Sequence, residues 1–221
     1  MFLYCFGCTP DIDEATLSIV TTSPEQGAVH PADRPLRIRF EEYLYPATRW
    51  GNTAVVKSGA MGHPVTVSYD PVDQSLVVMP SISFRPGLAY TLTLPEETVI
   101  GAMGALLESS FTLDFIAGPP RSLPNPQPPN FDDDVVPIFA ARCSCHGPIG
   151  ETPPTLIPQS LISEPSRRQP NWPLVNPGRP MSSYLVLRML PDYPGITGPA
   201  KSLEDDDVRL IIDWIRHLPS S

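Results

Sequence analysis

Among its 221 residues the chain has only two lysines, Lys57 and Lys201, and only four cysteines. It contains no apolar run of the roughly 20 residues that a membrane-spanning helix needs, so no segment is expected to cross a bilayer. Gly-x-Ser-x-Gly, His-Glu-x-x-His and phosphate-loop sequences are all missing, which leaves the common hydrolase and nucleotide-binding readings without support. Cationic residues are outnumbered 24 to 15, giving a net charge of -9. Nucleic acid and anionic membrane surfaces are therefore disfavoured as partners. The acidity belongs mainly to the first 117 residues, which hold 13 of the acidic groups and 6 of the basic ones.

Proline, by contrast, is abundant, with 30 residues, and that argues for strands, turns and extended linkers over a helix-rich globule. Between Ala15 and Gly118 apolar and polar residues alternate in short runs. Leu17-Ser18-Ile19-Val20, Leu36 to Phe40, Val65 to Tyr69, Tyr90 to Leu94 and Phe111 to Phe115 carry the two-residue period of half-buried strands, with weaker runs at Ala54–Lys57 and Leu76–Met79. Turn-forming clusters separate them at Ser23-Pro24, Asp33-Arg34-Pro35, Gly51-Asn52, Asp70-Pro71 and Arg85-Pro86-Gly87. Seven short strands so spaced predict an all-β antiparallel sandwich over residues 15–117. Their order resembles the bacterial Ig-like domains of exported proteins, which likewise lack inter-sheet cysteines.

Six prolines in the thirteen residues Gly118–Asn130 predict a semi-rigid spacer. Beyond it the strand period disappears. Asp132-Asp133-Asp134 suit the opening of a helix, where the macrodipole favours acids, and Pro137 is tolerated in its first turn. Gly147–Arg179 has no clear period and is expected to be loop. A closing helix is expected from Leu203 to Leu218, capped by Ser202 and burying Val208, Ile211, Ile212, Ile215 and Leu218 on one face.

The chemistry concentrates in Cys143-Ser144-Cys145-His146. A c-type haem attachment sequence reads Cys-x-x-Cys-His, two thioether anchors and an axial imidazole, and here the spacing is one residue short. Were this stretch helical, Cys143 would lie about 100° round the axis from the usual first cysteine position, which Arg142 occupies. Val135 to Cys143, Cys145-His146-Gly147, Pro177-Gly178 with Ser183-Tyr184-Leu185, and Trp214-Ile215 together resemble, in that order, the small c-type cytochrome domains of multidomain exported bacterial proteins. The resemblance covers residues 131–221 and implies a small, mainly α, cytochrome c-like domain. It implies His146 as the proximal iron ligand and Cys145 as a thioether anchor; the shortened spacing makes haem c held by a single thioether the most economical form, with Cys143, the displaced first cysteine, free or paired elsewhere.

The family's distal Met has no counterpart in Gly198-Pro199-Ala200-Lys201-Ser202-Leu203. Lys201 falls at about that position; Met189, Met181 and His217 are the other sixth-ligand candidates. Each has a plainer role as well: Met189 lies on an apolar helical run, and His217 suits the C-terminal end of a helix dipole. Three functions stay open. One is an exported electron carrier working with a redox partner protein, the second a scaffold or binding protein whose cytochrome domain has lost its haem. In the third, Cys143, Cys145 and His146 hold zinc or copper, which needs a fourth ligand from elsewhere. Catalysis is not implied by any of them.

The other cysteine pair has a separate explanation. Phe2-Leu3-Tyr4-Cys5-Phe6-Gly7-Cys8 resembles the end of a lipoprotein signal, with Cys8 as the lipid anchor and residues 1–14 as signal remnant and tether. A periplasmic or outer-membrane lipoprotein, touching the membrane only through that anchor, is the expected setting. Cys5 and Cys8 could alternatively form a metal or redox pair, although no β-α-β pattern follows them. Expressed behind a complete secretion signal, the protein should take up labelled fatty acid, and Cys8→Ser should abolish the label; an unlabelled, freely soluble wild type removes the anchor.

Overall fold

The computed structural model describes residues 16–46, 50–121, 127–143, 155–196 and 203–219. Its first half is a two-layer β-sandwich. One sheet holds four strands in the order β1 (Ile19–Ser23), β3 (Leu36–Phe40), β7 (Ser75–Pro80) and β6 (Val65–Asp70), all antiparallel. The other holds five, in the order β2 (Val29–Pro31), β9 (Phe111–Gly118), β8 (Ala89–Leu94), β4 (Val55–Ser58) and β5 (Met61–His63).

All seven expected strands are present, and two more join them. β2 and β5 are three residues long, too short for an alternation to be read. β5 is the return of a tight hairpin from β4, turned at Gly59 with φ +57, a conformation glycine adopts without a Cβ penalty. β2 pairs with β9 in parallel, so the sandwich is not wholly antiparallel.

Alternation does what the period requires. Leu36, Ile38 and Phe40 of β3 turn inward, as do Tyr90, Leu92 and Leu94 of β8 and Leu113 and Phe115 of β9. The centre is aromatic: the Phe115 ring meets Phe84 edge-on at 5.2 Å and stacks on Tyr90 at 5.6 Å, while His63 lies 4.6 Å from Phe84. The Tyr90 hydroxyl is not left dry inside, since it accepts the Arg85 N–H at 3.0 Å. His30 closes one end of this core, its imidazole 6.1 Å from Phe115, and burial holds its pKa below the ordinary value.

The second half is helical and irregular. A π-helical turn, Phe131–Val135, runs directly into α1 (Val136–Arg142), with Pro137 in the first turn where its missing N–H costs nothing. The N-terminal cap is Asn130, which the sequence reading placed in the spacer. Its Oδ1 accepts from the N–H groups of Asp132 and Asp133 at 2.8 and 3.3 Å, and the Asp134 carboxylate reciprocates on the Asn130 N–H at 2.7 Å. Among the described residues three further α-helices follow, α2 (Pro158–Ser163), α3 (Tyr184–Met189) and α4 (Asp205–His217), with a short 3-10 turn at Pro180–Ser182.

α2 lies where only loop was expected. It is six residues long with proline at its start, a length at which no helical period can show. α4 begins later than expected, with Glu204 at the cap position and no side-chain cap bond; Ser202 lies outside the described residues. Its apolar face is as expected: Val208, Ile211, Ile212 and Ile215 are buried, with Trp214 beside them. Phe131 joins the two ends of this half, with its ring 5.0 Å from Trp214 and 6.2 Å from Phe139. Replacing Asn130 by Ala, which removes two cap bonds, should destabilise the protein by about 1 kcal/mol. Urea unfolding followed by Trp fluorescence measures this, and Asn130→Asp should retain most of the stability.

Candidate functional site

α1 delivers the chain to the cysteine motif and stops. Its last helical residue is Arg142, and Cys143 has φ -125 and ψ 29, outside the helical region, while its N–H still bonds to the Phe139 carbonyl at 2.7 Å. The helical rotation that would separate Cys143 from the usual cysteine position therefore does not describe the start of the motif. Cys143 is half-buried and packs against the hydrophobic core. Cys145 and His146 lie outside the described residues, as do Lys201, Cys5 and Cys8.

Of the remaining sixth-ligand candidates, Met181 and Met189 are both buried in the core of the second half. Neither stands at an open position, and Met189 fills the role its apolar helical run suggested. His217 is exposed at the end of α4, its Nδ1 2.8 Å from the Asp213 carbonyl, the place a dipole-compensating side chain takes. For a haem group, then, the described residues supply a half-buried cysteine at a helix end and two core methionines. Among the described residues no group of three or more His, Cys, Asp and Glu could hold a metal ion.

Ser183 has a role that its place in a motif did not reveal. Fully buried, its Oγ accepts the Asn176 N–H at 2.8 Å and donates to the Arg179 carbonyl at 3.1 Å, while the Gly178 N–H bonds to Ile215 O at 2.9 Å. The Pro177-Gly178 turn is thus fastened to both α3 and α4. A buried serine between a Pro-Gly turn and an apolar run is the signal that could have been read as a staple.

A second group of residues that the sequence did not single out joins the two halves. Tyr43, in the loop after β3, donates its hydroxyl to the Pro191 carbonyl at 2.7 Å and lies 5.2 Å, ring to ring, from Tyr193. Asp70, at the end of β6, puts Oδ2 3.2 Å from Arg37 and 3.5 Å from Arg209 of α4. Burial pushes the Tyr193 hydroxyl up to about 12, helped by Tyr45 and Tyr43. The Tyr43 hydroxyl also rises above its ordinary 10.0, first through burial and then through Asp192 and Asp205.

Residues 13–116 match the family model of the bacterial Ig-like domain. The first half of the chain is a bacterial Ig-like domain. That assignment places it among modules of exported and cell-envelope proteins. Among solved structures, the fold is similar to the N-terminal part of the bacterial S-layer protein SbsC, at 12% identity and TM-score 0.37, covering 47% of this chain and 24% of that one. It is also similar to PcoC, a methionine-rich copper resistance protein from Escherichia coli, at 14% identity, TM-score 0.38, 47% of this chain and 99% of that one. CopC from Methylosinus trichosporium OB3b gives 14% identity, TM-score 0.36, 48% and 98%. No curated protein matches the chain.

The tyrosine shifts carry a pH dependence. A raised folded-state pKa means the folded protein favours the neutral hydroxyl, so the contribution is whole below the ordinary 10.0 and is lost as pH climbs from there toward about 12. In an alkaline titration followed by tyrosinate absorbance, a late fraction should appear near pH 12 and should shrink in Tyr193→Phe without vanishing, because burial raises the Tyr69 hydroxyl as well. A titration completed by pH 11 in wild type means that Tyr193 is not buried.

Proposed function

We propose that the chain is an exported haem-binding protein of the c-type cytochrome kind with an electron-transfer role, built on an Ig-like domain and lipid-anchored at Cys8. Cys145 is the thioether anchor, His146 the proximal iron ligand, and Cys143 the displaced cysteine; bound haem c would supply one-electron chemistry. The observation that carries this reading is positional. α1 ends one residue before Cys143, its last residue Arg142 lies 3.8 Å from Glu204 at the cap position of α4, and the Phe131 turn that leads into α1 packs on Trp214, so the two helices named by the resemblance are neighbours. With the shortened spacing, one covalent bond plus the axial imidazole still fixes the ring.

A haem-free cell-envelope scaffold is the second reading, favoured by the methionines. Both Met181 and Met189 are committed to the core, and the sequence before α4 has Lys201 where a distal Met is expected.

Protein exported through a c-type maturation system and denatured in alkaline pyridine separates the two. A one-thioether spectrum is expected, abolished by Cys145→Ser and kept by Cys143→Ser, with the Soret band altered in His146→Ala. One residue inserted between Cys143 and Cys145 should convert it to a two-thioether spectrum. A haem-free wild type whose insertion variant acquires haem selects the scaffold.

A further inference from the structure

The joint between the halves has the features of a built receptor and its ligand. We infer that the Ig-like domain is an intramolecular folding partner of residues 127–219: the second half keeps its native helix arrangement only while docked on Tyr43 and Asp70. The inference does not depend on whether a cofactor is carried.

The Ig-like side is organised in advance by contacts of its own. The Tyr43 carbonyl accepts the Ala102 N–H at 2.6 Å, the Tyr45 N–H bonds to Ile100 O at 2.9 Å, and the Leu44 N–H donates to the Tyr69 hydroxyl at 3.1 Å. The Glu42 side chain lies against Gly101, where a Cβ would displace its carboxylate. Asp70 is likewise held in place, its Oδ1 accepting the Val72 N–H at 3.2 Å while Arg37 holds Oδ2. The loop therefore loses little freedom when the second half docks, which favours association.

The second half has the complementary need. α1, α2 and α3 are seven, six and six residues long, well under the roughly 12–15 residues at which an isolated helix becomes even marginally stable. Their order must come from packing. The joint grips this half at the two places that govern that packing. Pro191 and Tyr193 lie just beyond α3, and Arg209 lies in the first half of α4, the helix that carries Trp214 and receives the Gly178 bond. Tyr193 is only 7% exposed although it stands in a loop, and Tyr43 only 8%. Separated, the halves would leave two aromatic rings and a carbonyl facing water.

The dependence runs one way. The sandwich closes its nine strands on an aromatic centre that contains no residue of the second half. The proline-rich spacer assists as a strap. Its start is tied down by the Arg121 N–H on Asp33 at 2.7 Å and by Arg34 on the Arg121 carbonyl at 3.1 Å. That shortens the tether and raises the effective concentration of one half at the other.

Hydrogen exchange of the full chain, read by mass spectrometry, tests this in cofactor-loaded and cofactor-free protein alike. In Tyr43→Ala, amides of α3 and α4 should exchange about tenfold faster or more, the scale of a lost buried hydrogen bond and its packing, while those of β8 and β9 keep their wild-type protection. Asp70→Asn should act in the same direction, and more weakly, because Arg209 is partly exposed. Tyr43→Phe, which keeps the ring and deletes the hydroxyl, should fall between wild type and Tyr43→Ala and remains informative if the alanine variant does not fold. Unchanged α4 exchange in Tyr43→Phe and Asp70→Asn together overturns the inference. Equal acceleration of β8, β9 and α4 overturns it too, since the residues would then serve the sandwich alone.

Discussion

A tyrosine in a loop ordinarily keeps its hydroxyl in water, and Tyr43 does not. Its ring lies against Tyr193 and its hydroxyl reaches the Pro191 carbonyl, so a connection between two strands of one half is also part of the interior of the other. The apolar core runs continuously through both halves across this point. A net hydrogen bond contributes about 1 kcal/mol and an aromatic pair a similar amount beyond its buried area. These increments are small beside a sandwich core but large beside three helices of six or seven residues and one of thirteen. The same contact therefore weighs differently on its two sides.

Asp70 adds direction to that contact. A carboxylate only 14% exposed needs a cation, and Arg37 of β3, which lies across β7 in the same sheet, already supplies one. Arg209 then joins a charge that is positioned and paired before docking. With both arginines about 40% exposed, solvent screens the pair, and its contribution stays within the modest range of surface ion pairs. Its use is to fix which way α4 lies. The Tyr43 ring supplies the burial, and Asp70 the orientation.

The strands were legible because the chain has two chemically distinct faces per strand. Leu36, Ile38 and Phe40 could be placed inside from their period alone, and they are inside. What escaped was too short to have a period: β2 and β5 at three residues, and α2 at six. The Asn130 cap escaped for another reason. It sits at the end of a proline-dense stretch that reads as spacer, and only the reciprocal bond from Asp134 shows that the helix begins there. The joint left no local signal at all, because Tyr43 and Pro191 are 148 residues apart and nothing in either neighbourhood names the other. Of the cysteine motif, the structure adds how α1 leads into Cys143, while the chemistry expected of Cys145 and His146 falls on residues outside those described.

The two functional readings make different demands on the second half. A domain that wraps a haem uses the ring as its core, and its side chains then need not meet one another. Here Phe131, Phe139 and Trp214 do meet, Ser183 staples a turn to two helices, and Tyr193 is covered by the neighbouring domain. Order among the described residues thus has sources in the polypeptide itself. On the haem-binding proposal, a polypeptide stabilised in this way would tolerate the shortened Cys143-Ser144-Cys145-His146, because the loss of one thioether, or of the cofactor, would not remove those contacts.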